Sequence, residues 1–221
     1  MNFCIAIDGP AGAGKSTIAK LLAKKLGFIY VDTGAMYRAM GLYFFQNNLN
    51  TEDEADVKYA CEHADITISY DNTGQIVCLN GEDVTSQIRT ENAGLMASKV
   101  AILKEIRLKL VELQRKLAKK ENVIMDGRDV GTYILPDANL KIYLTASSKE
   151  RATRRYQELV QKGVDCNLDQ IEEDIISRDK QDMNREFAPL RQAEDAILID
   201  SSHLSIEEVV NKMIQLYEEK K

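Results

Sequence analysis

Five short apolar runs recur along the chain: FCIAI (3–7), FIYV (28–31), NVIM (122–125), LKIYL (140–144) and AILI (196–199). They are continuous rather than alternating, as expected of strands buried on both faces of a parallel sheet. Helical patterns lie between them, at about 15–26, 34–47, 91–119, 148–162, 168–184 and 205–219. Strand and helix alternate, which predicts an α/β architecture with right-handed crossovers. One stretch, 64–85, breaks the rhythm. Ile66, Ile68 and Tyr70 alternate with polar residues, and Asn72-Thr73-Gly74 and Asn80-Gly81 are turn signals. This pattern predicts a small antiparallel sheet inside an insertion over about 51–90. Ser147 and Glu150 have the spacing of a capping box at the start of the next helix.

Composition narrows the class. A length of 221 residues, 44% hydrophobic and 29% charged, suits one substantial globular domain spanning 1–221. A net charge of -6 argues against general nucleic-acid binding but leaves room for a local anion pocket. No stretch approaches the ~20 apolar residues of a membrane span. The apolar run in MNFCIAID stops at Asp8 with no basic segment before it, so no signal peptide and a cytoplasmic location are expected. Cys4, Cys61, Cys78 and Cys166 are scattered without a CxxC pair, and the two histidines are His63 and His203. Reduced apolar fillers are expected, not a zinc site. No exposed apolar heptad is evident, so a monomer is the default expectation.

The chemistry begins at GPAGAGKST (9–17). Gly9, Gly14, Lys15 and Ser16 fit G-x-x-x-x-G-K-[ST], set between a strand and a helix. Glycines let backbone N–H groups turn inward around phosphate oxygens, and the helix dipole adds positive potential. ATP is therefore expected on Gly9, Pro10, Ala11, Gly12, Ala13, Gly14, Lys15, Ser16 and Thr17, with Ser16 as ligand for Mg²⁺. The fingerprints of other P-loop classes are missing. Asn211-Lys212 is followed by Ile214, so no NKxD guanine motif exists, and NVIM ends in Asp126-Gly127-Arg128 without an Asp-Glu pair.

A kinase needs a second anion site, and arginine forks match phosphate geometry. DTGAMYR (32–38) follows the second apolar run, and Asp32 or Thr33 can cap a helix carrying Tyr37 and Arg38 on its first turns. DGRDVGT (126–132) places Arg128 and Asp129 after the third run. Ligands of open α/β sheets sit beyond the carboxyl ends of the strands, where both segments and the glycine loop fall. Arg151, Arg154 and Arg155 share a helical face, as do Arg178, Asp182 and Arg185. These clusters flank YQELVQKGVDCNL, a candidate lid passage. On pattern alone, a solvated charged face is the favoured reading of each cluster.

GPAGAGKST, DTGAMYR, A-S-K-V-A with Arg107 nine residues after Ser98, DGRDVGT and RDKQDMNR, in this order, resemble the bacterial cytidylate kinases. The resemblance implies a P-loop nucleoside monophosphate kinase fold: a parallel five-stranded core sheet flanked by helices, a small antiparallel β insertion and a short helical lid at about 148–170. It implies ATP-dependent phosphorylation of CMP and dCMP in pyrimidine nucleotide metabolism. Arg38, Arg128 and Arg185 would grip the CMP phosphate. Thr33, Tyr37, Ser98, Arg107 and Asp129 would line the nucleoside, and Arg178 and Asp182 its sugar side. Lys15, Arg128, Arg151 and Arg155 would carry catalysis, by direct in-line transfer. Small-molecule substrates are implied as the only partners. A kinase for UMP, AMP or a metabolite such as shikimate shares the loop and fold, and a non-catalytic nucleotide-binding module shares the loop.

Overall fold

The continuous apolar runs become strands, buried most deeply at the centre of the sheet, while Leu198 of the last run is 52% exposed. In the computed structural model, which describes residues 2–71 and 74–221, these are β1 (Cys4–Asp8), β2 (Ile29–Asp32), β6 (Val123–Gly127), β7 (Leu140–Thr145) and β8 (Ile197–Asp200). They form one parallel sheet in the order β2-β6-β1-β7-β8. Every residue of β6 is buried, as are the last four of β1. Ile7 pairs with Asp126 on one side and Ile142 on the other, so β1 is central and its carboxyl end opens into the glycine loop.

The chain divides into two compact units, residues 1–29 with 121–221, and residues 30–120. The first unit carries α1 (Lys15–Leu26), α6 (Ser148–Gln161), α7 (Leu168–Asn184) and α8 (Ile206–Lys220). Its core includes Ile5, Ile7, Ile18, Leu22, Ile124, Leu144 and Met213. Phe3, Phe28 and Tyr217 make an aromatic cluster with centroids 5.0–6.1 Å apart, Tyr217 meeting both phenylalanines edge-on. Ser205 and Glu208 close a full capping box on α8. At α6, Ser147 accepts from the Glu150 backbone N–H, but the reciprocal half of the expected box is not made.

The second unit holds α2 (Thr33–Gln46), α3 (Glu54–His63), α4 (Glu91–Val100) and α5 (Lys104–Lys120). The expected antiparallel sheet is β3 (Ile66–Asp71), β4 (Gly74–Leu79) and β5 (Glu82–Asp83). Asn72 and Thr73 of the first turn signal lie outside the described residues. At the second, Leu79 pairs with Glu82 across Asn80 (φ 49°) and Gly81 (φ 84°). Two positive φ values in a two-residue loop are what a primed hairpin turn demands. Two expectations change. The single helix over 91–119 is two helices, broken at 101–103. Helix α3, which the pattern did not predict, buries only Val57 and Ala60.

Candidate active site

The glycine loop follows β1 in the larger unit. Gly9 has φ 149°, and a β-carbon there would sit 1.9 Å from the Leu144 carbonyl oxygen. No side chain fits, so the loop backbone can turn close against β7. Gly14, in the left-handed region, begins α1 without a side-chain cap, leaving the helix N-terminus to an anion. Lys15 is buried and its Nζ donates to the Pro10 carbonyl at 2.6 Å, folding back across the loop. Burial, and then the Arg128 charge, holds the Lys15 ammonium well below its ordinary pKa, while Asp126, Asp182 and Asp8 oppose. Ser16 Oγ donates to Asp126 Oδ2 at 2.8 Å, joining the start of α1 to the end of β6.

Asp8 ends β1 and is buried. Its two oxygens accept the backbone N–H groups of Val130 (2.8 Å) and Gly131 (2.7 Å). Burial outweighs these bonds and raises its pKa to about 7. The two donors lie in a π-helical turn at 130–134, in which Ile134 N donates back to the Asp129 carbonyl at 3.0 Å. Such turns often mark functional sites.

Past β6, an alternating chain of ionic groups forms. Arg128 Nε meets Asp182 Oδ2 at 2.7 Å, and Asp182 Oδ1 lies 3.8 Å from Arg185 Nη1. Arg185 Nη2 meets Asp129 Oδ1 at 3.2 Å, with both side chains 5% exposed. Burial by itself pulls the Arg128 pKa down, but the Asp182 carboxylate outweighs it and leaves the guanidinium above its ordinary value. Burial likewise opposes the charge on Asp182, yet Arg128, Arg185 and Arg178 hold its carboxyl below its ordinary range. The structure thus brings together Arg128, Asp129, Asp182 and Arg185, which sequence reasoning selected. Arg178 remains exposed on α7.

The three α6 arginines diverge rather than sharing one anion-facing surface. Arg151 is buried against Asp179 at 2.6 Å. Arg154 donates to the Ser201 carbonyl at 2.6 Å. Arg155 is half-exposed and pairs with Glu158 at 2.9 Å.

In the smaller unit Asp32, not Thr33, caps α2 by accepting from Ala35 N, and it also pairs with Arg38 at 2.8 Å. Thr33 is buried at the first position of α2. Arg107 is 1% exposed. Its guanidinium carbon lies 5.4 Å from the Tyr37 ring centroid, and Nη1 donates to the Ala101 carbonyl at 3.1 Å. Ser98 Oγ donates to the Gly94 carbonyl on α4. Arg107 is thus a buried cation packed on an aromatic face.

A sequence profile of the cytidylate kinases matches residues 5–219. The chain belongs to the cytidylate kinase family. It is accordingly a nucleoside monophosphate kinase. Among relatives, "Cytidylate kinase" of Caldicellulosiruptor saccharolyticus is 54% identical over 213 residues, covering 96% of this chain and 94% of the relative. That of Carboxydothermus hydrogenoformans is 52% identical over 212 residues, covering 96% of both. A solved shikimate kinase from Acinetobacter baumannii, in complex with shikimate, aligns over 100% of this chain and 96% of its own. The TM-score is 0.51 and the identity 14%, a likeness of fold.

Sequence reasoning left three residues of the site unassigned. Asp126 was legible as the first residue after the apolar run NVIM, and it still belongs to β6. Asp8 carries no local signal, because its donors lie 122 and 123 residues away. Asp179 sits inside the recognised RDKQD stretch but partners Arg151, 28 residues earlier.

Proposed function

We propose that this chain transfers the γ-phosphoryl group of ATP to CMP and dCMP in the cytoplasm, as a step of pyrimidine nucleotide metabolism. The observation that carries this is the glycine loop with buried Lys15 in the same unit as the Arg128–Asp182–Arg185–Asp129 chain. One cluster suits a triphosphate and the other a second anion.

ATP would lie along residues 9–17, with Lys15 on the β- and γ-phosphates. Ser16 and Asp126, a hydroxyl and a carboxylate 2.8 Å apart, offer the oxygen donors a hard cation takes, so the residues fit Mg²⁺. When bound, the metal supplies charge neutralisation. Arg128 and Arg185 would hold the CMP phosphate in the larger unit, and Arg38 would take the same role from the smaller one. Thr33, Tyr37, Ser98 and Arg107 would face the nucleoside, and Arg178 and Asp182 the sugar. Asp129 would accept from the cytosine amine while Arg107 donates to the ring acceptors. A uracil carbonyl would face the same carboxylate unpaired, which is the physical basis of discrimination.

The acceptor is a phosphate oxygen, already anionic near neutral pH. No strong base is needed, and positioning plus charge neutralisation by Lys15, Arg128 and Arg155 carries the transfer. Substrates are small molecules, with neither nucleic acid nor membrane as partner, and the monomer is the working unit. Among the described residues no helix is long and apolar enough to cross a membrane.

The test is ADP formation from ATP and Mg²⁺ with CMP, dCMP, UMP, AMP and GMP offered separately. CMP and dCMP should lead. A different leading acceptor overturns the cytosine assignment, and no stimulation by any acceptor overturns the kinase.

A further inference from the structure

Arg151 does not reach out over the glycine loop; it is built into the loop's wall. Its Nη1 donates to the Ala11 carbonyl at 2.7 Å and to Asp179 Oδ2 at 2.6 Å, and its Nε donates to the Ala146 carbonyl at 2.9 Å. The other oxygen of Asp179 accepts the Ala11 N–H at 3.0 Å. Arg151 and Asp179 are 6% and 7% exposed. Both backbone polar groups of one loop residue are thus taken by an ion pair whose halves come from two different helices, α6 and α7.

Packing makes the same connection. A β-carbon on Gly12 would lie 3.3 Å from Cβ of Arg151 and 3.8 Å from Cδ1 of Ile175. Ser148 Oγ donates to Glu172 Oε1 at 2.6 Å, locking α6 to α7 one turn before Arg151 and two turns before Asp179.

We infer that Arg151 and Asp179 are positioning residues that clamp the Ala11 peptide planes and so set the conformation in which the glycine loop accepts ATP. This inference rests on the loop being the ATP site. In a trans peptide the C=O and the following N–H point in opposite directions. Pinning the Ala11 carbonyl toward Arg151 therefore aims the Gly12 N–H away from it. The Ala11 N–H is already donated to Asp179 and is not offered to a phosphate. The anion is left to the N–H groups from Gly12 onward and to Lys15. The clamp acts before nucleotide arrives, which is what a loop of inward-pointing donors needs to bind without reordering.

Arg151→Lys keeps the charge but cannot serve three acceptors from one planar fork. Asp179→Asn keeps the size but loses the ion pair. Each should raise KM for ATP about tenfold or more while KM for CMP stays within about twofold. A purely architectural pair would lower the amount of active enzyme and leave both KM values alone. An arginine touching the transferring phosphoryl group would lower kcat with KM for ATP unchanged. Either outcome overturns the clamp.

A second measurement uses the unmodified protein without nucleotide, so it holds even where a variant fails to fold. The Ala11 amide, although in a loop, should exchange its hydrogen about a hundredfold or more slowly than that of exposed Gly12. Equal rates overturn the clamp. If ATP does not bind the wild-type protein at all, the functional reading falls, whereas slow exchange at Ala11 stands without it.

Discussion

At the scale of single residues, the site is governed by charges that burial makes costly and partners make tolerable. Lys15 is the extreme case: a buried ammonium whose ordinary pKa is depressed by its surroundings. Triphosphate oxygens would restore its charge at the point where charge moves, so its removal should strike turnover first. Lys15→Ala is expected to lower kcat at least about a hundredfold with the fold retained, checked by steady-state kinetics beside circular dichroism. Asp8 makes a different prediction. Its folded pKa, about 7, lies above the ordinary carboxylate value. The native state then binds the proton more tightly than the unfolded chain. Its contribution is most favourable below the unfolded pKa and is lost as pH rises toward 7, by up to about 1.4 kcal/mol per pH unit. Denaturant unfolding between pH 5 and pH 7 should show wild type losing stability relative to Asp8→Asn. A difference that stays flat with pH would contradict the assignment.

At the scale of elements, caps and breaks decide where helices lie. The box on α8 satisfies two backbone donors reciprocally: Ser205 N donates to Glu208 Oε2 at 2.8 Å, and Glu208 N donates to Ser205 Oγ at 3.2 Å. Ser205→Ala should cost about 1 kcal/mol of unfolding free energy, read from urea denaturation. The break between α4 and α5 is of another kind. Residues 101–103 read Ala-Ile-Leu, with no glycine or proline, so the sequence carries no stop signal. Arg107 donates to the Ala101 carbonyl that the ending helix frees. The side chain expected to read a base thus also captures the end of α4. Helix α3 was illegible for the opposite reason: with Val57 and Ala60 alone buried, it has almost no apolar stripe to detect. Its one local mark is Asp53, which caps Ala55 and Asp56.

At the scale of the whole molecule, ligand binding and stability are linked. On the proposed function ATP would bind the folded glycine loop and not the unfolded chain, so ATP at about 100 times its Kd should add ~2.7 kcal/mol and raise Tm by several degrees. A thermal scan with and without ATP and Mg²⁺ checks this, and Lys15→Ala should shrink the shift.

What the sequence alone determined was whatever is written in local pattern. Continuous apolar runs between helical periods specified five parallel strands, because such runs suit a sheet covered by helices, even though the edge strand β8 keeps Leu198 exposed. The G-x-x-x-x-G-K-S spacing specified an anion cradle, because glycine conformation and helix start are fixed within a few residues. DGRD and RDKQDMNR marked the arginines and acids that the fold joins in one ionic chain. The tertiary structure decided the pairings. That Asp182 takes Arg128, that Asp8 takes the N–H groups of a π-helical turn, and that Arg151 joins Asp179 on Ala11 rather than facing solvent all depend on partners 28 to 168 residues apart. Such partners meet only when the strands that carry them are in register. A charged side chain's role is set by what desolvates it and what opposes its charge, and neither is local in sequence.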